Sequence, residues 1–372
     1  MALRTAIGLM SGTSMDGIDL ALIRSDGRSR VEAGPGASLA YAPSERALLR
    51  EALAEAVRLT DRDRRPGKLA EAERLVTERH AGLVRGFLAR EKLDPATIDV
   101  IGFHGQTVLH RPEQRLTVQI GDGEALAAGC GIPVVFDMRA ADVAAGGQGA
   151  PLVPAYHQAL ALASGLDLPL TVVNLGGVGN VTYVAAGHDP VAFDTGPANA
   201  LIDDLMAERT GLAMDRDGAA ALAGTVDAAA LASLLTHSYF SAPPPKSLDR
   251  NAFSRAAVAG LSTPDAAATL VAFTAASVAA AERWFAEPPK LWIVCGGGSR
   301  NPAIMAGLAA RVAGRVVTAE TVGWSAELIE AQAFAYLALR SLEGLPLTFP
   351  SSTGVAAPLS GGRLARPGKA AA

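Results

Sequence analysis

Cysteine is nearly missing from this chain: there are two in 372 residues, Cys130 and Cys295, far apart. That excludes a disulfide framework and a cysteine-rich metal site, and it fits a reducing compartment. Aromatic residues reach only 5%, and the charge balance is a slightly acidic −4 with no basic tract. Proteins that bind nucleic acid through its phosphates show the reverse. Long apolar runs are lacking as well. Each is broken by Gly, Ser or a charge short of the ~18 residues of a membrane span, so no span is expected. The opening MALRTAIGLMSG has neither the apolar stretch nor the small-residue cleavage site of a secretory signal. The expectation is a cytoplasmic protein with neither nucleic acid nor membrane as partner.

What is present is a chain that is 49% hydrophobic and long enough for two domains. Strand and helix patterns alternate, which predicts an α/β fold. TAIGLM and IDLALI read as paired strands, and SERALLREALAEAVRL as a helix capped by Ser44. A longer helix is predicted over 68–91, and IDVIGF and IPVVFD are short apolar runs of the kind buried in a sheet. The second half restarts the pattern: LTVVNLGGVGNVTYVAA is strand, Gly-rich turn, strand, and LWIVCGGGSRNPAIMAGLAARV is strand, turn, helix. Each half opens on a hairpin with a polar, Gly-rich turn, a repeat clearer in layout than in letters. The Gly/Pro-rich segment 144–154 is the expected join. This gives domains over 1–145 and 146–324, an amphipathic helix over about 325–345 completing the first, and a disordered tail over 360–372.

The first turn, SGTSMDG, supplies what an anion site requires. Gly12 and Gly17 permit positive φ and converging backbone N–H groups, Thr13 and Ser14 add hydroxyls, and Asp16 can hold a cation or water. A hairpin built on Asx and Ser/Thr turns uses the same residues. A nucleophile elbow around Ser14 would need Gly where Asp16 stands, and no Walker A loop occurs. NLGGVGN, with Gly176 and Gly177, is not a dinucleotide fingerprint, because a strand follows it; a second phosphate turn fits better. In CGGGSRNP, Gly296, Gly297 and Gly298 let a planar ligand approach the backbone, and Asn301 caps the next helix or contacts that ligand. Asp194 in AFDTGPANAL stands after a buried strand, where it is an N-cap or a general base facing a cleft. GFHGQTVLH ends another strand with His104, Gln106 and Thr107, placed for ligand hydrogen bonds or loop packing. Arg139 suits a carboxylate or phosphate oxygen, with pairing to Asp142 as the plainer outcome. Lys246 and Arg250 in PPKSLDRNAF read as surface loop or cleft rim.

Two phosphate-type hairpins, an Asp at a strand end and a late Gly-rich turn resemble the actin, sugar-kinase and heat-shock-protein superfamily. In that superfamily, two ribonuclease-H-like domains flank an ATP cleft. Within it, GLMSGTSMDGID, GFHGQTVLH, QIGDGEALA, DMRAADVAAGGQGAPLVP, FDTGPANALIDD and CGGGSRNP resemble the anhydro-N-acetylmuramic acid kinase family, in that family's order. The resemblance implies a cytoplasmic homodimer that uses ATP and Mg²⁺. It opens the 1,6-anhydro bridge of 1,6-anhydro-N-acetylmuramic acid with water and phosphorylates O6, a step of cell-wall recycling. It further implies that Gly12, Thr13, Ser14, Met15, Asp16, Gly17, Ile18 and Asp19 bind ATP, with Asp16 on the metal, directly or through water. Asp194 becomes the base that activates water, and Thr107, Arg139 and Glu330 handle the sugar. The rival reading is a chaperone- or actin-like ATPase switch, for which the chain lacks a long extra domain.

Overall fold

The computed structural model describes residues 2–12 and 14–368. The chain forms two compact units, Met1–Ala163 with Leu328–Ala372, and Ser164–Glu327. Residues 144–154 lie inside the first unit, and the chain leaves it after the helix Pro154–Ala163.

Unit 1 contains β1 (Arg4–Ser11), β2 (Gly17–Ser25), β3 (Val31–Ala40), β4 (Val100–Arg111), β5 (Leu116–Ile120) and β6 (Val134–Phe136). Unit 2 contains β7 (Leu170–Leu175), β8 (Val178–Val184), β9 (Val191–Pro197), β10 (Leu291–Cys295) and β11 (Arg315–Thr318), and the returning chain adds β12 (Arg363–Ala365) to unit 1. The first sheet runs β12-β6-β4-β1-β2-β3, with β5 beside β4, and the second runs β11-β10-β7-β8-β9. In both sheets three successive strands pair antiparallel. The first of the three also pairs parallel with a fourth strand, and the fourth with a fifth. Order and direction agree, so each unit is α/β with the same ribonuclease-H-like sheet. The repeat that the letters only suggested is complete in the topology.

One contact organises unit 1. Gly8 of β1 and Gly102 of β4 are directly opposite each other across the parallel pair. A Cβ on Gly8 would lie 1.8 Å from the Ala331 carbonyl oxygen, and one on Gly102 would lie 1.9 Å from that of Phe334. The helix Ile329–Leu342 therefore sits with its backbone against the two central strands. It is buried nearly all round, from Ala331 to Leu339 without a break, where the sequence reading expected an amphipathic helix. Its far side meets the helix Pro154–Ala163, where Tyr156 donates its hydroxyl to Gln332 Oε1 at 3.0 Å.

Several local expectations are corrected. The first helix is Pro43–Ala56 with Ala42 as N-cap, not Ser44, because Glu45 reaches back to the Ala42 N–H at 2.8 Å. The helix Lys68–Glu91 falls where the periodicity put it. Arg363–Ala365, inside the segment read as a disordered tail, pairs antiparallel with β6, Ala365 opposite Val134. Among the described residues one segment, Thr263–Trp284, is long and apolar enough to span a membrane by length and composition alone. It is a core element of unit 2, with 72% of that stretch buried, packed through Phe273 and Val278.

The glycine seat is testable by equilibrium unfolding. Gly102→Ala should lose about 3 kcal/mol of stability, because backbone and not a flexible side chain blocks the added methyl. Gly82→Ala, on the helix Lys68–Glu91 where a Cβ meets nothing within 4 Å, should gain about 0.5–1 kcal/mol. Equal effects of the two would show that the helix is not seated on Gly102.

Candidate active site

The β1–β2 turn closes with Met15 N–H donating to the Gly12 carbonyl at 3.1 Å. Its left-handed residue is Met15 (φ 55); neither Gly12 nor Gly17 has positive φ, contrary to the sequence reading. Gly17 is glycine because a Cβ would lie 2.6 Å from the Leu39 carbonyl oxygen of β3, whereas a Cβ on Gly12 would have room. Ser14 Oγ donates to Asp16 Oδ1 at 2.7 Å, and both side chains are exposed. Thr13 lies outside the described residues. Ile18 is buried in the core, so its side chain belongs to packing, and Asp19 Oδ1 accepts from Ser38 Oγ at 2.6 Å.

GFHGQTVLH does not follow a strand but lies within β4, which continues to Arg111. A bulge makes this possible: Leu9 faces Phe103 and Ser11 faces Gln106, so His104 and Gly105 together oppose Met10, and Gly105 takes φ 72. Gln106 Nε2 then donates to the Gly12 carbonyl at 3.0 Å, tying the turn to β4. Thr107 Oγ1 accepts from Gln119 Nε2 at 3.3 Å. Arg139 does not pair with Asp142, whose carboxylate takes the Gly149 N–H at 2.6 Å and the Thr353 hydroxyl at 2.7 Å. Arg139 instead donates to the Gly149 carbonyl at 2.9 Å and, from Nη2, to His104 Nε2 at 3.0 Å. Burial pulls the Arg139 pKa down to about 10, with Glu330 and Asp142 opposing. Glu330, on the first turn of the helix Ile329–Leu342, has its pKa raised by burial and lowered by Arg139. Arg139 and Glu330 are thus brought together, and the turn lies one strand away.

In unit 2, Asp194 sits within β9 and not after it. The strand continues to Pro197 because Thr195 bulges: Asn180 faces Asp194 and Gly179 faces Gly196. Bulges of this kind re-aim side chains beside functional sites. Burial raises the Asp194 carboxyl to about 6, against the pull of the Leu248 N–H, which meets Oδ2 at 2.8 Å. Oδ1 takes no hydrogen bond among the described residues. The segment 239–248 encloses this aspartate, a role the sequence reading did not assign. The Tyr239 hydroxyl donates to the Asp194 carbonyl, and the Asp194 N–H donates to the Lys246 carbonyl at 3.0 Å. Lys246 Nζ donates to the Tyr239 carbonyl at 2.9 Å and sits 4.5 Å from its ring centre. Pro244 and Pro245, in the stretch read as surface loop or cleft rim, were the available signal of a stiff segment.

The Gly176–Gly177 turn joins β7 to β8, and its carbonyls accept the N–H groups of Ala198, Asn199 and Ala200. The turn and the start of the helix Asn199–Thr210 are therefore one unit. Gly296 and Gly298 are packed against Asn174 and Leu175, where a Cβ would come within 2.4 and 2.6 Å, whereas Gly297 has room. Asn301 is the N-cap, its Oδ1 taking the N–H groups of Ala303 and Ile304. Beside Gly297 and Asn301 lies a cavity of ≈ 420 Å³, also lined by Asn199, Asp203, Asp215 and Arg300. Burial, with help from the charge of Asp204, raises Asp203 in that wall to about 6. Asp203 was missed in the sequence, where adjacent carboxylates on a helix were the only signal.

The family profile described as anhydro-N-acetylmuramic acid kinase matches residues 4–366. A protein of that name from Rhodopseudomonas palustris (strain ATCC BAA-98 / CGA009) is 56% identical over 364 residues, covering 98% of this chain and 99% of that one. Its namesake from Methylobacterium nodulans is 57% identical over 372 residues, covering 97% and 100%. Among solved structures, component A of the Acidaminococcus fermentans (R)-2-hydroxyglutaryl-CoA dehydratase has a TM-score of 0.46 at 12% identity, over 90% of this chain and 99% of that one. The curated relatives share more than half their residues with this chain from end to end, and on that ground the chain belongs to the anhydro-N-acetylmuramic acid kinase family.

Proposed function

We propose that this chain uses ATP and water to open the 1,6-anhydro bridge of 1,6-anhydro-N-acetylmuramic acid and phosphorylates O6, giving N-acetylmuramic acid 6-phosphate and ADP. Family membership supports the substrate class. The observation that carries the mechanism is Asp194, a half-buried carboxyl raised to about 6 with one oxygen held by a backbone N–H. A carboxylate of that strength accepts a proton at neutral pH more readily than an ordinary aspartate. In the proposed step Asp194 takes a proton from water as the water oxygen bonds to C1. The C1–O6 bond breaks, the electron pair stays on O6, and O6 bonds to the γ-phosphorus as ADP leaves.

Arg139 and Glu330 are the proposed sugar-binding pair, and Thr107 is the third residue proposed for the sugar. The guanidinium suits the carboxylate of the lactyl ether, and Glu330 suits a sugar hydroxyl. Gly12 to Asp19, Gly176, Gly177, Gly296 to Gly298 and Asn301 are the proposed nucleotide set, with Gly297 facing the ≈ 420 Å³ cavity. Asp16 and Ser14 fit a hydrated Mg²⁺ that arrives on the phosphates, since both are exposed, hard oxygen donors already in contact. Among the described residues no group of three acidic, His or Cys side chains forms a protein-only metal cage. When bound, the ion would offset charge on the phosphates. Family resemblance also supports a cytoplasmic homodimer, which light scattering on the purified protein would test.

ADP release with and without 1,6-anhydro-N-acetylmuramic acid tests the reaction, and sugar-independent release would overturn it. The acid limb of kcat/KM should fall tenfold per pH unit below about 6; a limb near 4 would remove Asp194 from the role of base. Asp194→Asn should lower turnover by ~10²-fold or more while keeping nucleotide binding. The same variant should be more stable than the parent. The carboxyl binds its proton more tightly when folded than at its ordinary 3.8. Its burial therefore favours the folded state at low pH, and that advantage is lost as pH rises through about 6. At pH 8 the variant should gain on the order of 3 kcal/mol, and near pH 4 only a small fraction of that. Denaturant melts at both pH values check this.

A further inference from the structure

His104 is buried in β4, 5% exposed, yet it is not an inert core residue, because both ring nitrogens are committed. Nδ1 lies 2.7 Å from the Gly105 carbonyl and 3.1 Å from the Ser11 carbonyl. Carbonyls only accept, so Nδ1 carries the hydrogen and Nε2 presents its lone pair. Arg139 Nη2 donates to that lone pair at 3.0 Å, while Nη1 is held by the Gly149 carbonyl. Phe334, from the helix that bears Glu330, stands edge-on to the imidazole with centroids 4.8 Å apart. The ring can neither turn nor exchange its tautomer without breaking one of these contacts. Burial and the charge of Arg139 pull its pKa to about 3, so it remains neutral and an acceptor across the working range.

We propose that His104 is a positioning residue for Arg139: its Nε2 takes Nη2 at 3.0 Å and Nε at 3.4 Å, and so aims the remaining guanidinium N–H groups at the carboxylate of the acidic sugar. This rests on the reading of Arg139 as the group that binds the sugar. It also gives that residue a mechanical link to the β1–β2 turn, since the Ser11 carbonyl that anchors His104 immediately precedes Gly12. A leucine or phenylalanine would fill the same core volume but would leave the guanidinium free to swing.

The test is a double-mutant cycle with an independent structural readout. His104→Leu should raise KM for 1,6-anhydro-N-acetylmuramic acid about tenfold, with KM for ATP changed less than about twofold. His104→Gln, which keeps an acceptor near Nε2, should restore most of the loss. On an Arg139→Ala background, His104→Leu should change the sugar KM less than twofold, because nothing remains to be aimed. A full His104→Leu effect on that background, or equal losses in the Leu and Gln variants, would overturn the proposal. If His104→Leu fails to fold, as judged by its melting curve, His104→Asn enters the same cycle and must show the same dependence on Arg139. The ¹⁵N signals of the Arg139 guanidinium supply the second readout, and they should be restrained in the parent and mobile in His104→Leu. Unchanged signals would sink the positioning role. Changed signals combined with a normal sugar KM for Arg139→Ala would leave the positioning contact standing and remove Arg139 from sugar binding.

Discussion

Unit 1 depends on two adjacent glycines giving up their side chains. Gly8 and Gly102 face each other across β1 and β4, and the backbone of the helix Ile329–Leu342 fills the space their methyls would take. Close approach of this kind leaves no slack, because the obstructing atoms are carbonyl oxygens. It also fixes what the helix carries. Its first turn brings Glu330 into the electrostatic range of Arg139, its second places Phe334 against His104, and Tyr336 further along donates to the Arg28 carbonyl. The sugar-binding pair proposed in this unit is therefore assembled from segments about two hundred residues apart, and backbone contact sets the register between them.

The two units surround their buried carboxyls differently, and the difference matches the work proposed for each. In unit 1 Arg139 and Glu330 each resist burial, yet each favours the charged form of the other. Burial leads at Glu330, but the cation beside it favours the charged form, which suits the binding role proposed for the pair. In unit 2 no cation is among the groups acting on Asp194; it has one backbone N–H. Burial dominates there, and the carboxyl moves towards neutrality, where it can both take and release a proton.

Much of the layout was legible because α/β punctuation is local. Gly-rich turns, short apolar runs and the long helix Lys68–Glu91 all announce themselves within a few residues. Both sheets, and Asp194 as the residue to watch, followed from that. What was illegible depended on distant partners. Val31–Ala40 forms a strand around Gly34, Pro35 and Gly36, with no alternation to reveal it, because it borrows its pattern from β2. The apolar core segment Thr263–Trp284 has its length extended by the short turn of helix after Ala279, which no periodicity marks. The commitment of Asp142 to Gly149 and Thr353 rests on a threonine 211 positions away. Bulges at Gly105 and Thr195 moved two motifs from strand ends into strands, since a single inserted residue leaves the apolar run intact.

The glycines show how a motif divides once packing is known. Read as letters, Gly12, Gly17, Gly176 and Gly177 belong to phosphate-type turns, and Gly296 to Gly298 to a bare backbone that a planar ligand can approach. Gly17, Gly296 and Gly298 are required by their neighbours, because a Cβ at each would meet other atoms of the fold at 2.4 to 2.6 Å. Gly12, Gly176, Gly177 and Gly297 have neither a crowded Cβ nor positive φ. A glycine in that position costs about 0.5–1 kcal/mol of backbone entropy relative to alanine and returns nothing to the fold. Under the proposed function the compensation lies outside the chain, in something that approaches the bare backbone more closely than a methyl would allow. Under the proposed function that something is the nucleotide, and these four glycines, rather than all seven, are where the chain would meet it.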